Sequence, residues 1–390
     1  MDSRAHPLSR VAAASFALAV ACLALAGCGA DGPAGPSESE APREEVVVIG
    51  IAVPLHGEGQ AVADDIVRAA ELAVADANQS AEVQDAGYHF MLSIRDDRAD
   101  PETAYEVARR FAADERLVGV IGHREGGTSL LASTLYDEEG VPFLSLSPSP
   151  LLTERSVSHV FRMVPREDEC GEAMADAVLE SLEPTRVAVV SDEVVFQGAA
   201  AKAFAARMLD AGVEVTSYIE IGEVTDLGGV ADILARQAPD FVFLALQPDD
   251  TLELRRAMLE REIPSRVGIR AEACNQAYVD GVGEAGEGDL GVSGLSDLRA
   301  TARGRDFLSY FETTFEREPH ECAAYAYDAV WAFVRCVLAA GPDREAVNRE
   351  LGRQEFSGVT GEFAFDENGE PSGRAVAVYV VRDGAWAALE

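Results

Sequence analysis

Residues 122–129 read Gly-His-Arg-Glu-Gly-Gly-Thr-Ser, and residues 145–150 read Ser-Leu-Ser-Pro-Ser-Pro. Both stretches are rich in glycine and hydroxyl residues, and both follow short apolar runs. The first follows residues 117–121 (Leu-Val-Gly-Val-Ile), a branched run of the kind buried on both faces of a parallel sheet. Gly122 to Gly127 cannot continue that strand. Thr128 or Ser129 is placed to cap a helix carrying Leu130, Leu131 and Leu135. Free backbone N–H groups and a positive dipole end then meet at one spot, which suits a carboxylate or a phosphate. The second stretch follows Val141-Pro142-Phe143-Leu144. In open parallel sheets, ligands bind beyond the carboxyl ends of the strands. The chemistry on offer is anion holding, although ordinary capped loops have the same local pattern.

Covalent chemistry finds little support. Gly281-Val282-Gly283-Glu284-Ala285-Gly286 matches G-x-G-x-x-G, but no clear strand precedes it and no helix opens after it. There is no G-x-S-x-G elbow and no Walker lysine. His56, His89, His123, His159 and His320 lack metal spacing. His123 follows a strand without a nucleophile beside it and is expected to brace its turn. The reading is therefore a non-enzyme with no cofactor and no metal.

The elements that must hold the two turns alternate strand and helix. Strands are expected at 46–53, 90–94, 117–121 and 141–144, and helices at 62–77, at 101 to about 114, and after Ser129. Asp100 and Pro101 supply an N-cap and a first helical residue. The rhythm restarts with helices at 170–182, 199–210, 227–237 and 251–260, and strands at 186–190, 213–221, 241–245 and 267–269. Helices 305–316 and 322–340 follow, and then strand 363–366, a turn at 367–369 and strand 376–381. Two successive βα arrays predict an α/β protein with two doubly wound parallel-sheet lobes.

With 390 residues, 48% hydrophobic and 26% charged, the chain is long enough for two globular domains. Its formal charge of −36 argues against nucleic acid and against a basic lipid-binding patch. Residues 1–27 read as a lipoprotein signal peptide. Arg4 and Arg10 precede an apolar run that ends Leu25-Ala26-Gly27-Cys28, with Cys28 the lipidated residue. Residues 28–45 are a Gly/Pro/Ser/Glu-rich tether. The protein is expected outside the cytoplasm, lipid-anchored on the outer side of the cytoplasmic membrane or in the periplasm. Export permits disulfides, but Cys170, Cys274, Cys322 and Cys336 allow three pairings, and buried thiols fit as well.

Several segments in order carry a family likeness: Ile49 to Ala52 with Ala69 to Ala73 (IGIA…AAELA), Asp96-Asp97…Asp100-Pro101, and Val120 to His123 (VIGH). Ala132-Ser133…Glu139-Gly140-Val141-Pro142, Leu152-Thr153, Phe161-Arg162, AYAYDAV from Ala324 and GEFAFDENG from Gly361 continue it. The chain resembles the type I periplasmic binding proteins, in the leucine/isoleucine/valine-binding branch that serves ABC importers. That resemblance implies two lobes joined by a three-strand hinge, with residues 46–165 and 297–370 in one and 166–296 and 371–390 in the other. It also implies a monomer that delivers a small amino-acid-like ligand to a membrane permease. The carboxylate would be held at Gly126, Gly127, Thr128, Ser129, Ser147 and Ser149, and the ammonium by Glu167 and Glu272. The side-chain pocket would fall at Val62, Phe196 and Gln247, which departs from the usual aromatic lining. Arg124 at the cleft rim could meet a second ligand carboxylate. A sensing receptor and a non-binding scaffold of the same fold are the alternatives.

Overall fold

The computed structural model describes residues 44–390 except 58, 156, 193–197, 223–224, 295–297, 374–375 and 390. The expected signal peptide, Cys28, nearly all of the tether and Phe196 lie outside the described residues.

The first sheet is parallel throughout and contains β1 (Glu45–Val53), β2 (Tyr88–Asp96), β3 (Leu117–Gly122), β4 (Phe143–Ser145) and β5 (Val160–Arg162), in the order β2-β1-β3-β4-β5. Strands β1, β3 and β4 are buried apolar runs because helices cover both faces, whereas the edge strand β2 leaves Met91 and Ile94 exposed. On one face α1 (Gln60–Gln79) and α2 (Ala81–Ala86) share a core, with Ile66, Ala69, Ala73 and Val83 buried. On the other, α3 (Pro101–Ala112) and α4 (Gly126–Glu138) bury Val107, Phe111, Leu135 and Tyr136. The Asp100 carboxylate accepts the Thr103 N–H at 2.8 Å, so α3 starts where its cap and proline predict.

The second sheet repeats the arrangement. Its parallel strands are β6 (Arg186–Asp192), β7 (Glu214–Ile221), β8 (Phe241–Ala245), β9 (Arg266–Ile269) and β10 (Leu290–Ser293). Around them pack α5 (Glu167–Leu182), α6 (Ala199–Asp210), α7 (Leu227–Gln237), α8 (Pro248–Glu260) and α9 (Gln276–Val282). The chain then returns to the first core as α10 (Ala302–Phe315), α11 (Glu321–Ala340) and α12 (Arg344–Leu351). A small antiparallel sheet follows, built from β11 (Phe356–Gly358), β12 (Gly361–Phe365) and β13 (Pro371–Ser372). Finally β14 (Ala377–Arg382) and β15 (Ala385–Ala388) add antiparallel to the second sheet, whose order is β15-β14-β10-β9-β8-β6-β7.

The chain therefore passes between the two sheets three times: after β5, after β10 and after β13. The expected strand, turn and strand at the end of the chain are present, but the two strands do not pair with each other. The partner of β12 is the two-residue β13, whereas residues 377–382 leave for β10 of the other sheet. Local alternation cannot separate these outcomes, since a strand after a turn pairs with whichever edge the crossover reaches.

Candidate ligand-binding cleft

Each sheet changes direction of winding once, between β1 and β3 in the first and between β6 and β8 in the second. The turns beyond those strands are where an open parallel sheet offers a crevice. The two crevices face each other. Arg124, Glu125 and Gly126 follow β3, and Ser147, Pro148 and Ser149 follow β4. With Glu167 of α5, Gln247 after β8, and Arg270 and Glu272 after β9, they line one cavity of about 30 Å3.

The β3 turn is set by backbone sterics. Gly122 has φ +130°, and a Cβ there would run into the Ala52 carbonyl of β1. Only glycine accepts both conditions. His123 follows at φ +42°, is wholly buried, and donates its N–H to that same Ala52 carbonyl at 2.7 Å. Its ring sits between the Asp97 carboxylate (Nδ1, 2.9 Å) and the Tyr136 hydroxyl (Nε2, 3.0 Å). His123 thus pins the turn from behind and takes no place in the cavity wall.

Helix α4 begins at Gly126, two residues before the expected Thr128 or Ser129 cap, and Glu125 is its N-cap residue without a side-chain cap bond. The hydroxyls are used locally: Thr128 Oγ donates to the Glu125 carbonyl at 2.9 Å and Ser129 Oγ donates to the His123 carbonyl. Gly127, Thr128 and Ser129 are not among the cavity-lining residues, and of the leucines on this helix Leu131 is exposed and Leu135 buried. An early glycine start leaves the first-turn N–H groups without intrahelical partners.

On the β4 turn, Ser145 Oγ accepts the Ser147 N–H (3.2 Å) and Ser147 Oγ accepts the Ser149 N–H (3.3 Å). Ser149 is 2% exposed, and its own hydroxyl has no partner. The Ser149 carbonyl accepts Arg162 Nη1 at 2.7 Å, which ties the turn to β5.

From the other lobe, Glu167 opens α5, donates its N–H to the Pro148 carbonyl at 2.9 Å and accepts the Gly198 N–H at 3.0 Å. Burial pushes its carboxyl above the usual range despite that bond. Arg270 is 6% exposed, with its Nε 3.1 Å from Glu272 and its Nη1 3.4 Å from Asp192. Burial opposes the charge on Glu272, but Arg270, then a backbone N–H of Glu272 itself and then Arg124 outweigh it and hold the carboxyl below its ordinary value. The expected cationic partner of Glu272 is therefore supplied first by the chain itself. Arg124 lies 2.7 Å from Glu125. Val62 is not at the cavity. It is half-buried on α1 and packs against the first core.

Six expected residues meet at the cavity: Gly126, Ser147, Ser149, Glu167, Gln247 and Glu272, with Arg124 beside them. Glu125, Pro148 and Arg270 were not anticipated. Arg270 had a readable signal, since it directly follows strand β9 at its carboxyl end. Cys170, Cys274, Cys322 and Cys336 are all free thiols.

The start of α11 forms a further acidic edge near the cleft. Glu321 accepts the Ser293 hydroxyl at 2.8 Å across the second crossover. Burial, with the charge of Glu272 adding to it, pushes its carboxyl from 4.5 up to about 7. The folded state then binds this proton more tightly than the unfolded chain does. The resulting stability is fully present below 4.5 and is lost as pH rises through about 7. Thermal unfolding of Glu321→Gln should fall less than wild type between those limits. Parallel curves would show that Glu321 titrates normally.

The periplasmic binding protein family model matches residues 46–385. The chain belongs to the periplasmic binding protein family. A relative in Brucella melitensis, Leu/Ile/Val-binding protein homolog 1, is 26% identical over 347 residues, which is 87% of this chain and 91% of the relative. A Desulfitobacterium hafniense ABC transporter substrate-binding protein solved with Leu superposes with a TM-score of 0.75 at 24% identity, covering 88% of this chain and all of the other. A solute-binding protein from R. palustris solved with benzoate has a TM-score of 0.76 at 20% identity, with 88% and 95% of the two chains covered. At that identity the two structures establish the fold, which is the type I periplasmic binding protein arrangement of two α/β lobes.

Proposed function

We propose that the protein is an exported solute-binding lipoprotein, anchored through Cys28, that captures an amino acid or related small polar ligand for an ABC importer. The observation that carries this reading is the convergence of Gly126, Ser147 and Ser149 from one lobe with Glu167, Gln247 and Glu272 from the other. The first group offers N–H and hydroxyl donors to a carboxylate, and the second offers carboxylates to an ammonium. Gly127, Thr128 and Ser129 then serve by shaping the α4 turn. Residues 46–165 with 297–370 and residues 166–296 with 371–390 act as the two rigid bodies, and the three crossovers act as the hinge. A ligand drives closure only through contacts made better in the closed state, which demands donors from both bodies. The protein acts as a monomer and presents the closed pair of lobes to a permease. The names of its relatives support the amino-acid class.

A thermal-shift panel on the purified protein tests this, using amino acids, amides, short peptides and short carboxylates. A true ligand at a hundredfold excess over Kd adds about 2.7 kcal/mol of stability. An amino acid is expected among the hits. A folded protein stabilised by no amino acid would end the reading.

A further inference from the structure

We infer that the ligand carries a second carboxylate, clamped between Arg124 of one lobe and Arg270 of the other, so that the solute is an acidic amino acid. This rests on the amino-acid reading above and names the class of ligand within it. The first support is the chemistry of the wall. Among the described residues only Pro148 offers an apolar side chain to the cavity, against the charged groups of Arg124, Glu125, Glu167, Arg270 and Glu272. A branched aliphatic side chain placed there would strip water from charges and gain no apolar contact in return.

The second support is unmet hydrogen bonding. Arg124 Nε and Arg270 Nε are both buried and make no hydrogen bond, although Arg270 Nε lies within ion-pair distance of Glu272. Both are donors with no acceptor of their own to offer, so the group that satisfies them is an acceptor. A planar guanidinium matches a carboxylate in particular. The third is placement. Arg124 sits at the end of β3 in the first sheet and Arg270 at the end of β9 in the second. A carboxylate that bonds both guanidinium groups makes its full set of contacts only when the two lobes are together. The clamp therefore couples a ligand carboxylate to lobe closure, while in the empty cleft Glu125 lies 2.7 Å from Arg124, and Glu272 and Asp192 lie 3.1 Å and 3.4 Å from Arg270.

Titration calorimetry on the full protein distinguishes the possibilities, with L-glutamate, L-aspartate, L-glutamine, L-lysine, L-leucine and glutarate as probes. An acidic amino acid should bind at least about tenfold to a hundredfold more tightly than its amide, the range expected for hydrogen bonds to charged groups. Arg124→Gln should remove that preference, weakening glutamate or aspartate by a similar factor while leaving glutamine within about threefold. Arg124 is the residue to change because its side chain is 21% exposed and its own ion pair is with Glu125, whereas Arg270 keeps Glu272 and Asp192 within 3.4 Å. Leucine, glutamine or lysine binding as tightly as the acidic amino acids overturns the clamp and leaves the amino-acid reading standing. Equal weakening of all ligands by Arg124→Gln also overturns it. Glutarate binding through Arg124 while no amino acid binds keeps the clamp and removes the amino-acid reading. No binding by any probe removes both.

Discussion

Replacing Glu272 by alanine lowers affinity for an amino-acid ligand by about 2–5 kcal/mol, the usual cost of removing one partner of a buried charge pair. Glu272 lies in the cavity wall with its charge favoured by Arg270 and Arg124, so it is ready to meet an ammonium as an ionised carboxylate. The fold should survive, since Arg270 keeps Asp192 at 3.4 Å as a second acidic neighbour. Calorimetry with the hit from the binding panel measures the loss, and a denaturation curve checks that the variant is folded. The competing role for Glu272 is internal, as nothing more than the counter-charge of Arg270. In that case the alanine variant would lose stability and hold its ligand with affinity within about threefold, because no ligand contact is removed.

Arg162→Ala should cost about 3–5 kcal/mol of stability, the range for breaking a buried ion pair from one side. Arg162 is wholly buried at the end of β5. It donates to the Ser149 carbonyl and to the Thr153 hydroxyl, each at 2.7 Å, and pairs with the Glu370 carboxylate. Glu370 also lies 3.4 Å from Arg166, which directly precedes α5. One side chain thus joins the serine turn to the start of the first crossover and the approach to the third. Urea unfolding followed by circular dichroism should show a lower midpoint, and ligand binding should weaken with it. The double variant Arg162→Met/Glu370→Leu should recover part of the stability, since neither residue is then left as an unpaired buried charge. A midpoint unchanged in Arg162→Ala would mean that water replaces the guanidinium freely.

Where the chemistry of a segment is local, the sequence was easily read. Helices 199–210 and 227–237 and strand 241–245 fall where apolar periodicity puts them. Asp100 with Pro101 marks the start of α3 to the residue. Two helices start ahead of their expected positions: α4 begins at Gly126, before Thr128 and Ser129, and α8 at Pro248, before residue 251. A hydroxyl near a helix start can equally bond backward to a carbonyl, as Thr128 and Ser129 do. The short strands β5 and β10 and the helix α12 carried too few residues for a period to show.

Alternation of strand and helix, the Gly-rich and Ser-rich turns at strand ends, and the order of the family segments were enough to determine two doubly wound lobes and the turns that line the cavity. These depend on neighbours close in sequence, which is where periodicity and capping act. Partner choice was decided only in three dimensions. Arg270 sits 3.1 Å from Glu272 and 3.4 Å from Asp192, and Arg124 comes into the same cavity from the other lobe. Which charges neutralise one another, and which donors remain for a ligand, depends on distances between chain segments up to about 150 residues apart. Coulomb energy falls with separation and burial removes the screening of water, so only the folded arrangement fixes those pairings.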